Sequence, residues 1–80
     1  MRVTVKAFGI SRDIIGESTV QIDLPDNSTV ADLKSYLQDT YPEFVKLTSL
    51  NIGINESYAA DIQEITHNDE VVIIPPVSGG

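Results

Sequence analysis

A single helix segment lies between strand segments on both sides, and this order constrains the fold more than any other feature of the sequence. Apolar and polar residues alternate over residues 2–8 and 19–24 before the helix, and over 50–55 after it. This is the period of a β-strand. Eighty residues are enough for one small domain with one core. The order predicts an α+β domain in which one main helix covers one face of a sheet.

The helix segment has clear signals at both ends. Thr29 is a hydroxyl cap, and Asp32 supplies an acid three residues later, which is the pattern of a capping box. Pro42 lacks an N–H and disfavours helical geometry at Tyr41, so we expect the helix to end there. One face of this helix is apolar and consists of Val30, Leu33 and Leu37.

The remaining segments are less regular. Residues 9–16 are too long for a tight hairpin and predict a loop with room for one helical turn. Residues 55–57 predict a polar turn, followed by a short strand over 58–60. Residues 42–49 carry no clear pattern.

The run Val71–Ile74 has no polar alternation, so either both of its faces are covered or one face awaits a partner. One helix cannot cover both faces of a sheet. If the apolar residues of the first strand face the helix, Phe8 must face away from it, and so must Val72 and Ile74. We expect these three side chains to form a small outer patch that serves as a docking surface. The competing interpretation is that a loop covers this outer patch.

Composition excludes several kinds of site. Cysteine is absent and His67 is the only histidine, so thiolate metal sites, thiol nucleophiles and histidine-based triads are excluded. Asp69 and Glu70 are neighbours at a strand start and should point apart, which argues against an acid–base pair. We expect His67 to be a turn residue and the chain to hold no metal.

Twelve acidic and five basic residues give a net charge of −7. Nucleic acid is a poor partner for such a chain, whereas a basic protein would be attracted to it. The simpler interpretation is that the acidity only maintains solubility. No apolar segment is long enough to cross a bilayer, and no signal peptide is recognisable, so we expect a soluble cytoplasmic protein without membrane contacts.

The last six residues have the composition of a mobile arm, which divides the chain into a domain over 1–74 and a tail over 75–80. Ordering Gly79 and Gly80 would cost more backbone entropy than ordering other residues, and without Cβ atoms they could thread a narrow channel. Pro75 and Pro76 restrict the base of the arm to extended conformations. Six residues reach roughly 20 Å at about 3.3–3.6 Å each. We expect the reactive group to be the Gly80 carboxylate; the alternative is a frayed terminus without a role.

Motifs distributed along the whole chain resemble one known family. They are Phe8-Gly9, Arg12-Asp13, Gly16, Thr29-Val30, Leu33, Asn55, Asp69-Glu70-Val71 and Pro75-Pro76-Val77-Ser78-Gly79-Gly80. Together they resemble the small, sulfur-carrying subunit of molybdopterin synthase, a ubiquitin-like β-grasp family. The resemblance implies a mixed sheet of four to five strands, with the first and last strands adjacent and parallel at its centre.

The resemblance also implies a mechanism. A C-terminal carboxylate is ionised at neutral pH and is a poor electrophile. A ubiquitin-activating-like adenylyltransferase would therefore use ATP and Mg²⁺ to convert the Gly80 carboxylate into an acyl-adenylate. A sulfur donor such as a cysteine desulfurase would then leave a thiocarboxylate, which delivers sulfur to cyclic pyranopterin monophosphate in the large subunit. The chain itself would bind no cofactor and would not catalyse a reaction alone.

Partner contacts are expected from the outer patch and the arm, and the set consists of Phe8, Arg12, Val72, Ile74, Pro75, Pro76, Val77 and Ser78, with Gly79 beside the reactive Gly80. Arg12 and Asp13 have two interpretations: they contact the activating enzyme, or they cap the helical turn in their own loop.

Three other functions of the chain stay open. They are a protein modifier joined to lysines through Gly80, a sulfur carrier for thiamine biosynthesis, and a plain β-grasp interaction module.

Overall fold

A computed structural model describes residues 1–47 and 50–74 of the chain. Its elements, in chain order, are strand β1 (Arg2–Ala7), helix α1 (Gly9–Ile15), strand β2 (Thr19–Asp23), helix α2 (Val30–Thr40), a 3₁₀ helix (Pro42–Lys46), and strands β3 (Asn51–Ile54), β4 (Ser57–Tyr58) and β5 (Val71–Ile74). The expectations for Pro75, Pro76, Val77, Ser78, Gly79 and Gly80, and for the mobile arm that they form, lie outside the described residues.

The five strands form one mixed sheet in the order β2-β1-β5-β3-β4. β1 and β5 are parallel, with Val5 opposite Val71, and the other neighbouring pairs are antiparallel. The first and last strands of the chain are therefore adjacent in the middle of the sheet. This confirms the predicted α+β architecture, with one main helix packed on one face of a five-stranded sheet.

Helix α2 has the boundaries that its sequence predicts. The Asp32 amide donates to the Thr29 hydroxyl at 3.3 Å, and the Thr29 amide donates to the Asp32 carboxylate at 2.9 Å. These two bonds form the capping box and satisfy backbone donors that the helix leaves free at its start. The apolar face of Val30, Leu33 and Leu37 is fully buried against the sheet, and the helix ends at Thr40, with Tyr41 as its C-cap before Pro42.

The core lies between α2 and the inner face of the sheet. The strands contribute alternate residues to it: Val3, Val5, Ala7, Ile22, Ile52, Ile54, Val71 and Ile73. Phe44, from the 3₁₀ helix, is also fully buried and packs edge-to-face against Tyr41, with ring centroids 6.1 Å apart. Phe44 lies within residues 42–49, which carry no clear pattern in the sequence.

Two segments differ from the predictions. Residues 9–15 form a helix of two turns rather than a loop with one turn. The predicted strand over 58–60 instead covers Ser57–Tyr58, because the turn before it needs only Asn55 and Glu56, both of which have positive φ. Pairing therefore starts one residue earlier. His67 lies in a turn, as predicted.

Within residues 1–47 and 50–74, no helix has the length and apolar content needed to cross a bilayer.

Candidate functional site

The outer patch lies on the sheet face that α2 does not cover. Val71 and Ile73 of β5 are fully buried, whereas Val72 and Ile74 alternate with them and are half-buried. β1 and β5 run parallel with Ala7 opposite Ile73, so Phe8 follows β1 at the same end of the sheet at which Ile74 ends β5. Phe8 is 54% exposed. The structure therefore brings the three predicted residues to one end of the uncovered face, beside the start of residues 75–80.

Phe8 is held in place by Ser11. The Phe8 amide donates to the Ser11 hydroxyl at 3.1 Å, and this hydroxyl donates to the Phe8 carbonyl at 2.5 Å. Ser11 is fully buried, so neither bond competes with water. Sequence reasoning missed this residue. The available signal was a serine three residues after Phe8, the first residue beyond the strand, which is the spacing of a helix cap.

Arg12 and Asp13 are exposed on α1. The start of this helix is bonded by the Ser11 hydroxyl, and its end is closed by Gly16, whose amide donates to the Arg12 carbonyl at 2.7 Å with a φ of 89°. Within the described part of the chain, neither the Arg12 nor the Asp13 side chain takes part in these caps. Both interpretations of Arg12 and Asp13 therefore stay predictions, and Arg12 is accessible to a partner.

A groove extends the outer patch towards β4. The register places Gly53 opposite both Tyr58 and Val72, so the three residues lie side by side across β4, β3 and β5 on the uncovered face. Because Gly53 has no side chain, it forms a low floor between Tyr58 and Ile74. The groove has a volume of about 230 Å³, and the Tyr58 side chain beside it is 74% exposed. Sequence reasoning missed Tyr58, because its position depends on strand register.

Two carboxylates, Glu56 and Glu70, line the other end of the groove. The Lys6 ammonium lies 3.8 Å from the Glu70 carboxylate, across the β1–β5 pair. Both carboxylates also line a neighbouring polar hollow beside Asn55. The docking surface therefore has an apolar end at Phe8 and Ile74 and an acidic end at Glu56 and Glu70.

The Asn55 side chain connects the β3–β4 turn to the residues before β5 by hydrogen bonds. Its side-chain amide donates to the Asp69 carboxylate at 3.0 Å, and its side-chain oxygen accepts from the Glu70 amide at 2.9 Å. The Asp69 carboxylate also accepts from the Thr66 amide at 2.8 Å. This backbone hydrogen bond is the largest cause of a lowered Asp69 pKa; the Asn55 bond acts in the same direction, and partial burial opposes both.

These bonds also place Asp69 and Glu70 in different surroundings. Asp69 is engaged by Asn55 and Thr66, whereas Glu70 lies beside Lys6 on the uncovered face. The two carboxylates thus have different partners, as the strand alternation predicts.

Comparison with known proteins identifies the family. Residues 5–80 match the model of the ThiS family. A curated relative from Dictyostelium discoideum, named molybdopterin synthase sulfur carrier subunit, is 38% identical over 77 residues, which cover 91% of this chain and 90% of the relative.

Solved structures agree with this match. Molybdopterin converting factor subunit 1 from Pyrococcus furiosus superposes with a TM-score of 0.86 at 27% identity, over 96% of this chain and 99% of that one. Small archaeal modifier protein 1 from Methanosarcina acetivorans gives 0.75 at 26%, over 99% and 96%. A chain from the complex of subunits 1 and 2 of the molybdopterin-converting factor of Helicobacter pylori gives 0.67 at 25%, over the full length of both chains. The chain belongs to the ThiS family, among the ubiquitin-like β-grasp proteins that include the sulfur carrier subunits of molybdopterin synthase.

Proposed function

We propose that this chain is the sulfur carrier subunit of molybdopterin synthase and carries its sulfur as a thiocarboxylate on Gly80. The observation that carries the proposal is the exposed outer patch at the end of β5, directly before the sequence Pro75-Pro76-Val77-Ser78-Gly79-Gly80. Val72 and Ile74 are half-buried and Phe8 is exposed on a face that α2 leaves uncovered. A partner that docks there is within reach of the arm, which spans up to roughly 20 Å when extended.

Sulfur loading takes place on an activating partner that resembles ubiquitin-activating enzymes. A Gly80 carboxylate oxygen attacks the α-phosphate of ATP, with Mg²⁺ bound to the nucleotide, and pyrophosphate leaves. The mixed anhydride activates the carbonyl carbon, which then accepts a sulfur nucleophile as AMP leaves. With hydrosulfide as the donor, the products are the thiocarboxylate, AMP and a proton. A cysteine desulfurase is the class of enzyme that would supply this sulfur.

Sulfur delivery takes place in the large subunit of the synthase. The arm inserts the Gly80 thiocarboxylate into the partner's active site, where its sulfur attacks cyclic pyranopterin monophosphate and forms a thioester. Water then hydrolyses this thioester, which leaves the sulfur on the substrate and regenerates the Gly80 carboxylate. The diglycine tip suits this insertion because it has no side chains, and the two prolines reduce the entropy that the arm loses on binding. The known complex of the Helicobacter pylori relative with its subunit 2 supports a partner of this kind.

Intact-mass measurement tests the loading step. The full chain is incubated with its activating enzyme, ATP, Mg²⁺ and sulfide. Replacement of oxygen by sulfur at Gly80 should add about 16 Da. A chain lacking Gly80 is the control and should gain nothing. Absence of the mass increase in the full chain, under conditions in which the enzyme consumes ATP, would contradict the proposal.

A second function has support from one structural relative. The match to the Methanosarcina acetivorans small archaeal modifier protein 1 supports conjugation of Gly80 to lysine side chains of other proteins. Both functions start from the same activated carboxylate, so one chain can perform both. Isopeptide conjugates in cell extract, lost when Gly79 and Gly80 are deleted, would establish the modifier function; a full chain that forms no conjugates would exclude it.

A further inference from the structure

The turn between β3 and β4 carries a side chain that its backbone does not favour. Asn55 and Glu56 have φ values of 51° and 74°, and Ile54 pairs with Ser57 on either side of them. Two positive φ values in a two-residue hairpin are those of a type I′ turn, in which glycine is preferred at the second position. Glu56 occupies that position. The chain therefore keeps a carboxylate where glycine would be more stable.

The Glu56 carboxylate is not neutralised within the domain. Within residues 1–47 and 50–74, the ion pairs are Met1–Asp26, Arg2–Asp23, Lys6–Glu70 and Lys34–Asp61. Glu56 is in none of them, although it shares the wall of the groove with Glu70. Among these residues Lys6 pairs with Glu70 alone, so the acidic end of the groove keeps a negative charge.

This charge distinguishes between the possible occupants of the groove. A second copy of the chain has the same net charge of −7 and the same acidic groove, so it would be repelled. The Gly80 carboxylate of the chain's own arm would be repelled for the same reason. A basic side chain fits both ends, because its aliphatic stem covers apolar surface while its charged head reaches a carboxylate.

We propose that the groove binds a basic side chain, best an arginine, of the partner protein that docks on the outer patch. Its stem lies against the Tyr58 and Ile74 side chains, and its guanidinium pairs with Glu56 and Glu70. The exposed Tyr58 ring offers a face on which a guanidinium stacks, which favours arginine over lysine. The inference rests on the proposed function, since the partner it describes is the large subunit of the synthase.

Association kinetics with the large subunit of the same organism test the inference at low and high ionic strength. Charge reversal in Glu56→Lys should slow association roughly tenfold at low salt and flatten its salt dependence, because complementary charges act mainly on the encounter rate. Asp39→Lys is the matched control. It changes the net charge equally, but Asp39 is an exposed residue of α2 on the opposite side of the sheet.

A glycine variant separates binding from folding. Glu56→Gly removes the carboxylate, and glycine adopts the positive φ of this position without backbone strain. The variant should therefore have a Tm higher by roughly 2–5 °C and should associate several-fold more slowly. The inference is overturned if both Glu56 variants associate like the wild type, or if Asp39→Lys slows association as much as Glu56→Lys. If the wild-type chain does not bind the large subunit at all, the proposed function fails as well, and the mass measurement on Gly80 shows this independently.

Discussion

The side chain of Ile74 lies over Gly53, so close that a Cβ atom on Gly53 would come within 3.2 Å of Ile74 Cδ1. The next nearest atom is the Ser57 carbonyl oxygen, at 3.6 Å. Residue 53 therefore determines how far the tip of Ile74 can settle on the sheet. The last residue of β5 and the floor of the groove are coupled through this one contact.

The first prediction follows from this contact. Gly53→Ala should leave the free energy of unfolding within about 1 kcal/mol, because the gain from a less flexible unfolded chain offsets the displacement of a side-chain tip. It should weaken binding of the large subunit several-fold, since the displaced Ile74 changes the shape of the groove. Thermal melts and calorimetric titration measure the two effects. Unchanged affinity in both Gly53→Ala and the bulkier Gly53→Val would contradict this role of the groove floor.

The second prediction concerns Ser11 and Phe8. Ser11→Ala removes both bonds between the hydroxyl and the Phe8 backbone in a fully buried site, which should cost about 1–2 kcal/mol of stability. Phe8 should also lose its fixed position, so the affinity for the large subunit should fall. Ser35→Ala, at an exposed position of α2, is the control and should be neutral or slightly stabilising. Equal melting temperatures for the two variants would show that the Ser11 bonds contribute nothing.

Local signals account for the boundaries of the main helix and for the outer patch, whereas the parallel pairing of β1 and β5 was predicted from the family resemblance. The boundaries of α2 follow from Thr29, Asp32 and Pro42, which act within their own turn of chain. The outer patch follows from the number of helices, because a single helix covers only one of the two sheet faces. Strand alternation then assigns Val72 and Ile74 to the uncovered face. Neither inference needed contacts between distant residues.

The missed features depend on contacts between segments. Phe44 is buried where the 3₁₀ helix contacts α2, and a helix of five residues is too short to show a periodic pattern in the sequence. Tyr58 joins the outer face only through its pairing with Gly53, which is set by the two-residue turn. The expected roles of Gly79 and Gly80 stay predictions, because these residues lie outside the described part of the chain.

The third prediction concerns pH. The lowered pKa of Asp69 means that the folded state favours the charged carboxylate, chiefly through the Thr66 amide. Its contribution to stability is therefore fully present above the ordinary value of 3.8 and is lost as the pH falls through the folded-state pKa. Asp69→Asn should cost about 1 kcal/mol at pH 7, and the difference from the wild type should shrink below about pH 4.

Urea unfolding at several pH values measures this difference. Asp39→Asn, on the exposed side of α2, is the control for loss of a surface charge. A difference between wild type and Asp69→Asn that stays constant down to pH 3 would mean that the carboxylate charge contributes nothing through Thr66 and Asn55.

The fourth prediction concerns the 3₁₀ helix. Phe44 is fully buried and contacts Tyr41 edge-to-face, whereas its neighbour Val45 is 66% exposed. Phe44→Ala should cost about 3–5 kcal/mol, because it leaves a cavity at the end of the core and removes the aromatic contact. Val45→Ala should stay within about 0.5 kcal/mol, since most of the Val45 surface is exposed and little buried surface is removed. Because 3–5 kcal/mol is a large part of the stability of a small domain, Phe44→Ala should melt far below Val45→Ala in a thermal scan. Similar melting temperatures would mean that the 3₁₀ helix does not close the core, and that the sheet and α2 alone hold the outer patch in place.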